Sequence, residues 1–182
     1  MTGALFAVVG PSGSGKDTLI RGAVAADPRL HWARRVITRP EVPGGEPWEG
    51  VTPAEFDRRA AAGDFALHWR AHGLGYGIAH GELAPLAQGR DVVFNGSRAA
   101  LPEAMAAFPD LVVLCVTAPA AALADRLARR GREEEAAILD RLDRPVPALP
   151  AGARVREVAN DATPAEGIAR LVAALQAGRG MR

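Results

Sequence analysis

Two kinds of hydrophobic pattern alternate along the chain. Continuous apolar runs at residues 4–9, 91–95 and 111–116 predict buried parallel strands, and residues 155–160 predict a further strand. Apolar residues recur at helical spacing between these strands, at 17–27, 99–108 and 121–131, and after the last strand, at 167–175. Strands that alternate with helices predict an α/β fold of three layers around a parallel sheet.

Residues 33–80 are less regular and predict an insertion on one side of that core. Short strands are expected at 34–40, 64–69 and 72–78, with a Pro- and Gly-rich loop at 40–50. Thr52, Pro53 and Glu55 predict the capped start of a helix that stops at Gly63, and the same TPAE sequence at 163–166 opens the last helix. A helix is also predicted at 82–89, despite Pro85. We therefore expect one domain over 1–182, with a core at about 1–32 and 81–182.

Composition limits the classes of partner. The 182 residues carry a net charge of +1, which gives no reason to expect nucleic acid or a membrane as partner. No apolar run approaches the roughly 20 residues that span a bilayer, and the N-terminal residues do not resemble a secretory signal. Cys115 is the single cysteine, so no internal disulfide forms, and we expect a buried thiol in a cytoplasmic protein.

The residues GPSGSGKDT, 10–18, lie between the first strand and the first helix. This context predicts a phosphate-binding loop, in which backbone N–H groups surround the phosphates of ATP. Lys16 is the only lysine among 22 basic residues, and a compact ammonium suits a position between the β- and γ-phosphates. The predicted nucleotide-binding residues are Gly10, Pro11, Ser12, Gly13, Ser14, Gly15, Lys16, Asp17 and Thr18.

Asp17 stands where such loops usually have Ser or Thr, and the hydroxyl follows at Thr18. One hypothesis is that Asp17 and Thr18 hold Mg²⁺, directly or through its waters. The other is that Asp17 only complements the positive end of the helix dipole. A broken nucleotide site is the least favoured interpretation.

Arginines form two groups that suit phosphoryl transfer, which depends on positioning and charge stabilisation. Arg34, Arg35 and Arg39 surround residues 36–38, and six more lie between 126 and 144. Arg126, Arg130 and Arg141, with Lys16, are the predicted catalytic residues, although part of the second group is expected to face solvent. His68 and His72 lie in a strand-like, glycine-rich stretch, which does not favour a zinc site.

Most of the chain resembles the guanylate kinase family. The glycine loop, VITRP, GDF, HGLGYG, GRDVV, RGR and ND follow one another in the order of that family's motifs. The resemblance implies a P-loop NTPase fold with an acceptor-binding insertion at about 33–80 and an arginine-rich lid at about 120–145. It also implies that Arg39 and Tyr76 contact the acceptor phosphate, and that Asn160 lies on the adenine side of the nucleotide.

The departures from this pattern fall where guanylate kinases read guanine. The glutamate of the family's FLEW is replaced by Leu67, the hydroxyl residue after YYG by Ile78, and the aspartate of IDxQG by Asn95. Buried base edges without partners cost about 1–3 kcal/mol per group, so guanine should bind poorly.

The combination of GPSGSGKDTL with VVFNGSRAALPEA is similar to the ribose 1,5-bisphosphate phosphokinase branch, which serves phosphonate breakdown. That resemblance implies ATP and Mg²⁺ as cofactors and a small sugar phosphate as partner. The predicted acceptor-binding residues are Arg35, Arg39, Tyr76, Asn95, Ser97 and Arg98.

Two other functions remain open. A nucleoside-monophosphate kinase with altered base preference would keep the same loop. A guanylate-kinase-like module that binds proteins would usually lack a competent phosphate-binding loop, whereas this chain has one.

A sugar kinase that attacks with a hydroxyl is less favoured, because it usually needs a carboxylate base. Glu46, Glu49 and Asp64 are possible but unsupported as such a base. The chain is expected to be a monomer or a homodimer.

Overall fold

A parallel sheet of five strands forms the centre of the fold. The computed structural model describes residues 3–41, 46–123 and 148–181. The central sheet contains β1 (Leu5–Val9), β2 (His31–Trp32), β7 (Val92–Asn95), β8 (Val112–Thr117) and β9 (Arg154–Ala159), in the order β2-β7-β1-β8-β9. All four pairings in this sheet are parallel, as the buried apolar runs predict.

Both faces of this sheet are covered by helices. Successive side chains of β1 point to opposite faces and are buried on both. Phe6 and Val8 face α1 (Lys16–Ala26) and α5 (Pro164–Gly178), whereas Leu5, Ala7 and Val9 face the core that includes α4 (Leu101–Ala107). The chain thus adopts the predicted three-layer α/β arrangement.

A second sheet of four strands lies within residues 35–79. It is formed by β3 (Arg35–Ile37), β4 (Trp48–Gly50), β5 (Phe65–Ala71) and β6 (Leu74–Ala79), in the order β4-β3-β6-β5. The helix α2 (Pro53–Ala61) packs on it through Phe56, whose ring stacks on Phe65 with centroids 5.0 Å apart. Leu67, Trp69 and Ile78 of this sheet join the same buried cluster as α4, which fixes the sheet beside the carboxyl end of β7.

The structure corrects three local predictions. The last residues of the predicted 40–50 loop form β4, because they pair in parallel with β3. Residues 82–89 are not one α-helix: α3 (His80–Leu83) passes into a 3₁₀-helix at Ala84–Gln88, since Pro85 has no N–H to donate. At α2 the Thr52 hydroxyl does cap the helix, but the Glu55 carboxylate binds Arg58 and leaves the capping box half formed.

The two-residue strand β2 at the edge of the central sheet was not predicted. The strands at 64–69, 72–78 and 155–160 and the helix opened by Thr163 are present, and the capping box at Thr163 and Glu166 is complete. The helix predicted at 121–131 lies outside the described residues beyond residue 123. In the described ranges, no helix is both long enough and apolar enough to cross a bilayer.

Candidate active site

The glycine loop connects the end of β1 to the first residue of α1. Gly10, Gly13 and Gly15 have φ angles of 152°, 82° and 89°, which residues with a side chain rarely adopt. A Cβ atom on Gly10 would also lie 2.3 Å from the carbonyl oxygen of Val116. The glycines therefore let the loop pass close to β8 and turn its backbone around the N-terminus of α1, where N–H groups suit an anion.

Asn160 supports this loop from the end of β9. Its side chain is 5% exposed, and its Nδ2 donates to the carbonyl oxygen of Ser14 at 2.7 Å. The backbone N–H of Asn160 donates to Thr117, so the residue is held by β8 as well. The amide that the family resemblance places on the adenine side thus makes a direct contact with the phosphate-binding loop.

Lys16 lies over the loop that precedes it. Its Nζ donates to the carbonyl oxygens of Gly10 and Pro11, at 2.8 and 3.0 Å. The ammonium is therefore at the loop itself, the position that contact with bound phosphates requires.

Asn95 brings together two carboxylates from different parts of the fold. Val8 of β1 pairs with Asn95 of β7, so the carboxyl ends of both strands meet beside the glycine loop. The Asn95 Nδ2 donates to Asp17 Oδ1 at 2.6 Å and to Glu46 Oε2 at 3.0 Å. Its Oδ1 is buried without a hydrogen-bond partner in the described part of the chain. Asn95 thus joins the start of α1 to the second sheet.

The guanidinium of Arg35 is held by a carboxylate edge and an aromatic face. Its Nε and Nη2 donate to the two oxygens of Glu46, at 2.6 and 2.5 Å, and both side chains are largely buried. The Cζ atom lies 5.1 Å from the ring centroid of Tyr76, which stacks on Trp69 at 5.5 Å. Arg35 therefore contacts Tyr76 directly and is connected to Asn95 through Glu46, and the role of these residues in acceptor binding stays a prediction.

Arg39 lies near the same sheet and contacts Trp48. Its Cζ is 4.4 Å from the Trp48 ring centroid, and the Trp48 indole N–H donates back to the Arg39 carbonyl oxygen. The Nε of Arg39 is buried with no hydrogen-bond partner among the residues described. An arginine held on an aromatic face keeps its donors oriented at little entropic cost.

Ser97 and Arg98 follow β7 on the other side of Asn95. Ser97 lines a cleft of about 240 Å³ between β5 and α4, together with Leu67. The Nη2 of Arg98 lies 3.0 Å from the Cys115 sulfur, so this guanidinium is directed at β8. Cys115 itself is buried, as predicted.

Two of the three positions that lack base-reading groups lie side by side on adjacent strands of the second sheet. Leu67 and Ile78 are partners in the pairing of β5 with β6, and they are 7% and 0% exposed. Both belong to the buried apolar cluster beside α4. They offer no hydrogen bond to the edge of a base.

Other predicted site residues lie apart from this cluster or outside the description. Thr18 is exposed, and no hydrogen bond ties it to Asp17 or Asn95 within the described ranges. Arg126, Arg130 and Arg141, and most of the predicted lid, fall outside the described residues. Among the residues that are described, no three His, Cys, Asp or Glu side chains form a metal-binding cluster.

The main residue that sequence reasoning undervalued is Glu46. It was considered only as an unsupported base, whereas it is 5% exposed and accepts hydrogen bonds from Arg35 and Asn95. The available signal was its place in GGEP at 44–47, which matches the GE that ends the guanylate kinase family's TTRxPRxGE motif, the counterpart of VITRP and the loop after it.

Comparison with known proteins shows strong similarity to one group of kinases. The chain is 50% identical over 179 residues to a bifunctional ribose 1,5-bisphosphokinase-thymidine phosphorylase from Azorhizobium caulinodans, covering 97% of this chain but 26% of that protein. It is 48% identical to the ribose 1,5-bisphosphate phosphokinase PhnN of a Ruegeria species, covering 97% and 94% of the two chains. The chain thus spans about a quarter of the bifunctional relative and nearly all of the other.

A solved guanylate kinase from Anaplasma phagocytophilum shares the fold. The TM-score is 0.69 at 16% identity, over 97% of this chain and 86% of the other. No protein-family model matches the chain.

Proposed function

The chain belongs to the ribose 1,5-bisphosphate phosphokinase family, and we propose that it transfers the γ-phosphoryl group of ATP to the 1-phosphate of ribose 1,5-bisphosphate. The products are 5-phosphoribosyl 1-diphosphate and ADP. The observation that carries the proposal is the 48% identity to a relative of that name over nearly the whole of both chains. As part of the same proposal, we place this reaction in phosphonate catabolism in the cytoplasm.

The donor side of the site is the glycine loop with Lys16. The loop N–H groups at the start of α1 receive the phosphates of ATP, and the Lys16 ammonium, already at the loop, contacts the β- and γ-phosphates. Asn160 supports the loop backbone at Ser14.

Mg²⁺ fits the residues present. Asp17 Oδ1 accepts from Asn95, while its Oδ2 has no hydrogen-bond partner in the described part of the chain. One carboxylate oxygen next to bound phosphates is the donor set that Mg²⁺ commonly uses, together with waters. Asp17 would hold the ion, with Thr18 as the second candidate, and the ion would neutralise charge on the phosphates.

The acceptor side is formed by the second sheet and the residues after β7. A substrate with two phosphates and no base needs cations and hydroxyl partners, and the site offers both kinds. We assign phosphate binding to Arg35, Arg39, Tyr76 and Arg98. Sugar hydroxyls are assigned to Ser97 and to the Asn95 Oδ1, which has no hydrogen-bond partner among the described residues.

The chemistry needs no general base. An anionic oxygen of the 1-phosphate attacks the γ-phosphorus, and the bond from that phosphorus to the β,γ-bridging oxygen breaks with release of ADP. A phosphate whose second pKa is about 6 is largely deprotonated at neutral pH. Glu46 is bound to Arg35 and is not assigned as a base. Arg126, Arg130 and Arg141 are assigned to stabilising charge on the transferred group.

A nucleoside-monophosphate kinase is the second candidate, favoured by the shared guanylate kinase fold. Burial of Leu67 and Ile78 argues against it, because neither position offers a partner to guanine. The test is steady-state turnover with ATP and Mg²⁺ on both acceptors. The proposal expects kcat/KM on ribose 1,5-bisphosphate to exceed that on GMP by about 100-fold or more, as two lost base contacts imply. Lys16→Ala is the inactive control, and robust turnover of GMP with none on the sugar phosphate would contradict the proposal.

A further inference from the structure

A chain of hydrogen bonds connects the two halves of the site through Glu46. The Arg35 guanidinium donates to Glu46, the Asn95 amide donates to Glu46, and the same amide donates to Asp17 at the start of α1. A primary amide has two N–H groups, so Asn95 uses one for each carboxylate. An aspartate at this position would donate to neither and would add a third negative charge.

The geometry at Arg35 leaves part of the guanidinium for a ligand. Glu46 occupies the edge formed by Nε and Nη2, and Tyr76 lies against one face of the group. The Nη1 atom has no hydrogen-bond partner in the described part of the chain. A guanidinium has five N–H donors in a rigid fork, so fixing one edge also fixes the direction of the other.

We propose that Glu46 is a positioning residue that orients Arg35 so that its Nη1 edge receives the acceptor phosphate. This inference rests on the proposed function, since it names how the acceptor side of that same site is organised. Glu46 does not contact the substrate, and it acts through Arg35. Its burial explains why the pair is fixed, because a buried carboxylate must keep its charged partner.

The experiment measures KM and kcat for ribose 1,5-bisphosphate and KM for ATP in Glu46→Gln. We expect KM for the acceptor to rise about 10- to 100-fold, the usual effect of losing a charge-assisted hydrogen bond. We expect kcat and KM for ATP to stay within about threefold of wild type. Glu46→Asp should restore part of the acceptor affinity. The control is Glu55→Gln, which breaks an exposed bidentate pair with Arg58 on α2 and should change neither KM.

A double-mutant cycle with Arg35→Lys separates positioning from general support of the fold. If Glu46 acts through Arg35, the double variant has the same acceptor KM as Arg35→Lys alone, within about twofold. Independent, multiplying effects on KM would overturn the proposal, as would equal losses in KM for ATP and for the acceptor.

Failure of the proposed function would be visible separately. Wild-type turnover of GMP alone would contradict that function, and the same cycle would then be measured on GMP, which also presents a phosphate to Arg35. If wild type turned over neither acceptor, the Arg35 Nε–H signal in ¹⁵N NMR would show whether Glu46 orients Arg35 toward a phosphate. This signal, identified by its loss in Arg35→Lys, should shift on titration with ribose 5-phosphate in wild type and fail to shift in Glu46→Gln. The same shift in both proteins would overturn the role of Glu46.

Discussion

Replacement of Asn160 by alanine would separate two roles for this residue. The resemblance to guanylate kinases places it beside adenine, whereas its side chain donates to the Ser14 carbonyl oxygen at 2.7 Å. If the loop contact dominates, Asn160→Ala removes a support of the phosphate site and leaves base recognition intact.

The magnitude follows from burial. Asn160 is 5% exposed and Ser14 is 0% exposed, so the abandoned carbonyl oxygen has no easy access to water. Leaving a buried acceptor unpaired costs about 1–3 kcal/mol. For a protein of this length, each kcal/mol corresponds to a change of about 2–4 °C in melting temperature.

The assay combines thermal unfolding with equilibrium binding of ATP and of inorganic tripolyphosphate, which carries the phosphates without a base. We expect Asn160→Ala to weaken both ligands by a similar factor and to lower the melting temperature. The control is Asp161→Asn, which alters the next residue and removes the charge from an exposed ion pair with Arg170. Loss of affinity for ATP alone, with tripolyphosphate unaffected, would refute the loop-support role.

Three further predictions concern carboxylates. Asp17→Ala should raise the Mg²⁺ concentration needed for half-maximal turnover, whereas an unchanged Mg²⁺ dependence with only a lower melting temperature would return Asp17 to a helix-end role. Asn95→Asp places a third carboxylate beside Asp17 and Glu46, so its melting temperature should fall further below wild type at about pH 8 than at about pH 5, and an equal deficit at both would contradict this. Hydrogen bonds from Arg29, above all, lower the pKa of Asp27 in the folded protein below its usual value of 3.8. The ionised Asp27 carboxylate therefore stabilises the fold above pH 3.8, and this stabilisation is lost as the pH falls through the lower pKa of the folded state. The melting-temperature difference between wild type and Asp27→Asn should therefore narrow in acid, and a constant difference would contradict the linkage.

The sequence predicted the central sheet well because its signals are local. The apolar runs in β1, β7 and β8 are continuous, and the capping residues at Thr163 and Glu166 mark the last helix directly. Local signals do not predict β4. Its first residue, Trp48, follows a Pro- and Gly-rich stretch, and the strand forms by pairing with β3, where Trp48 is the partner of Arg35. Pro85 likewise converts a helical pattern into a 3₁₀ turn.

The site was predictable by residue type and less so by contact. The spacing of the glycines and Lys16 is enough to predict phosphate binding from the sequence. The contact of Asn95 with Asp17 and Glu46 joins residues 78 and 49 positions apart, and no periodicity reports such a distance. Asn95 was expected among the acceptor-binding residues, yet its amide nitrogen donates to two carboxylates, which leaves only its oxygen for contact with a substrate. Glu46 was considered as a base because its partner Arg35 could not be read from the sequence.

The measurement that tests the central claim most directly is a competition followed by ³¹P NMR. Wild-type protein is mixed with ATP, Mg²⁺ and equal concentrations of ribose 1,5-bisphosphate and GMP. The account predicts early appearance of the diphosphate signals of 5-phosphoribosyl 1-diphosphate, with loss of the 1-phosphate signal, unchanged 5-phosphate and GMP left unconsumed. Formation of GDP while the sugar phosphate stays intact would contradict it.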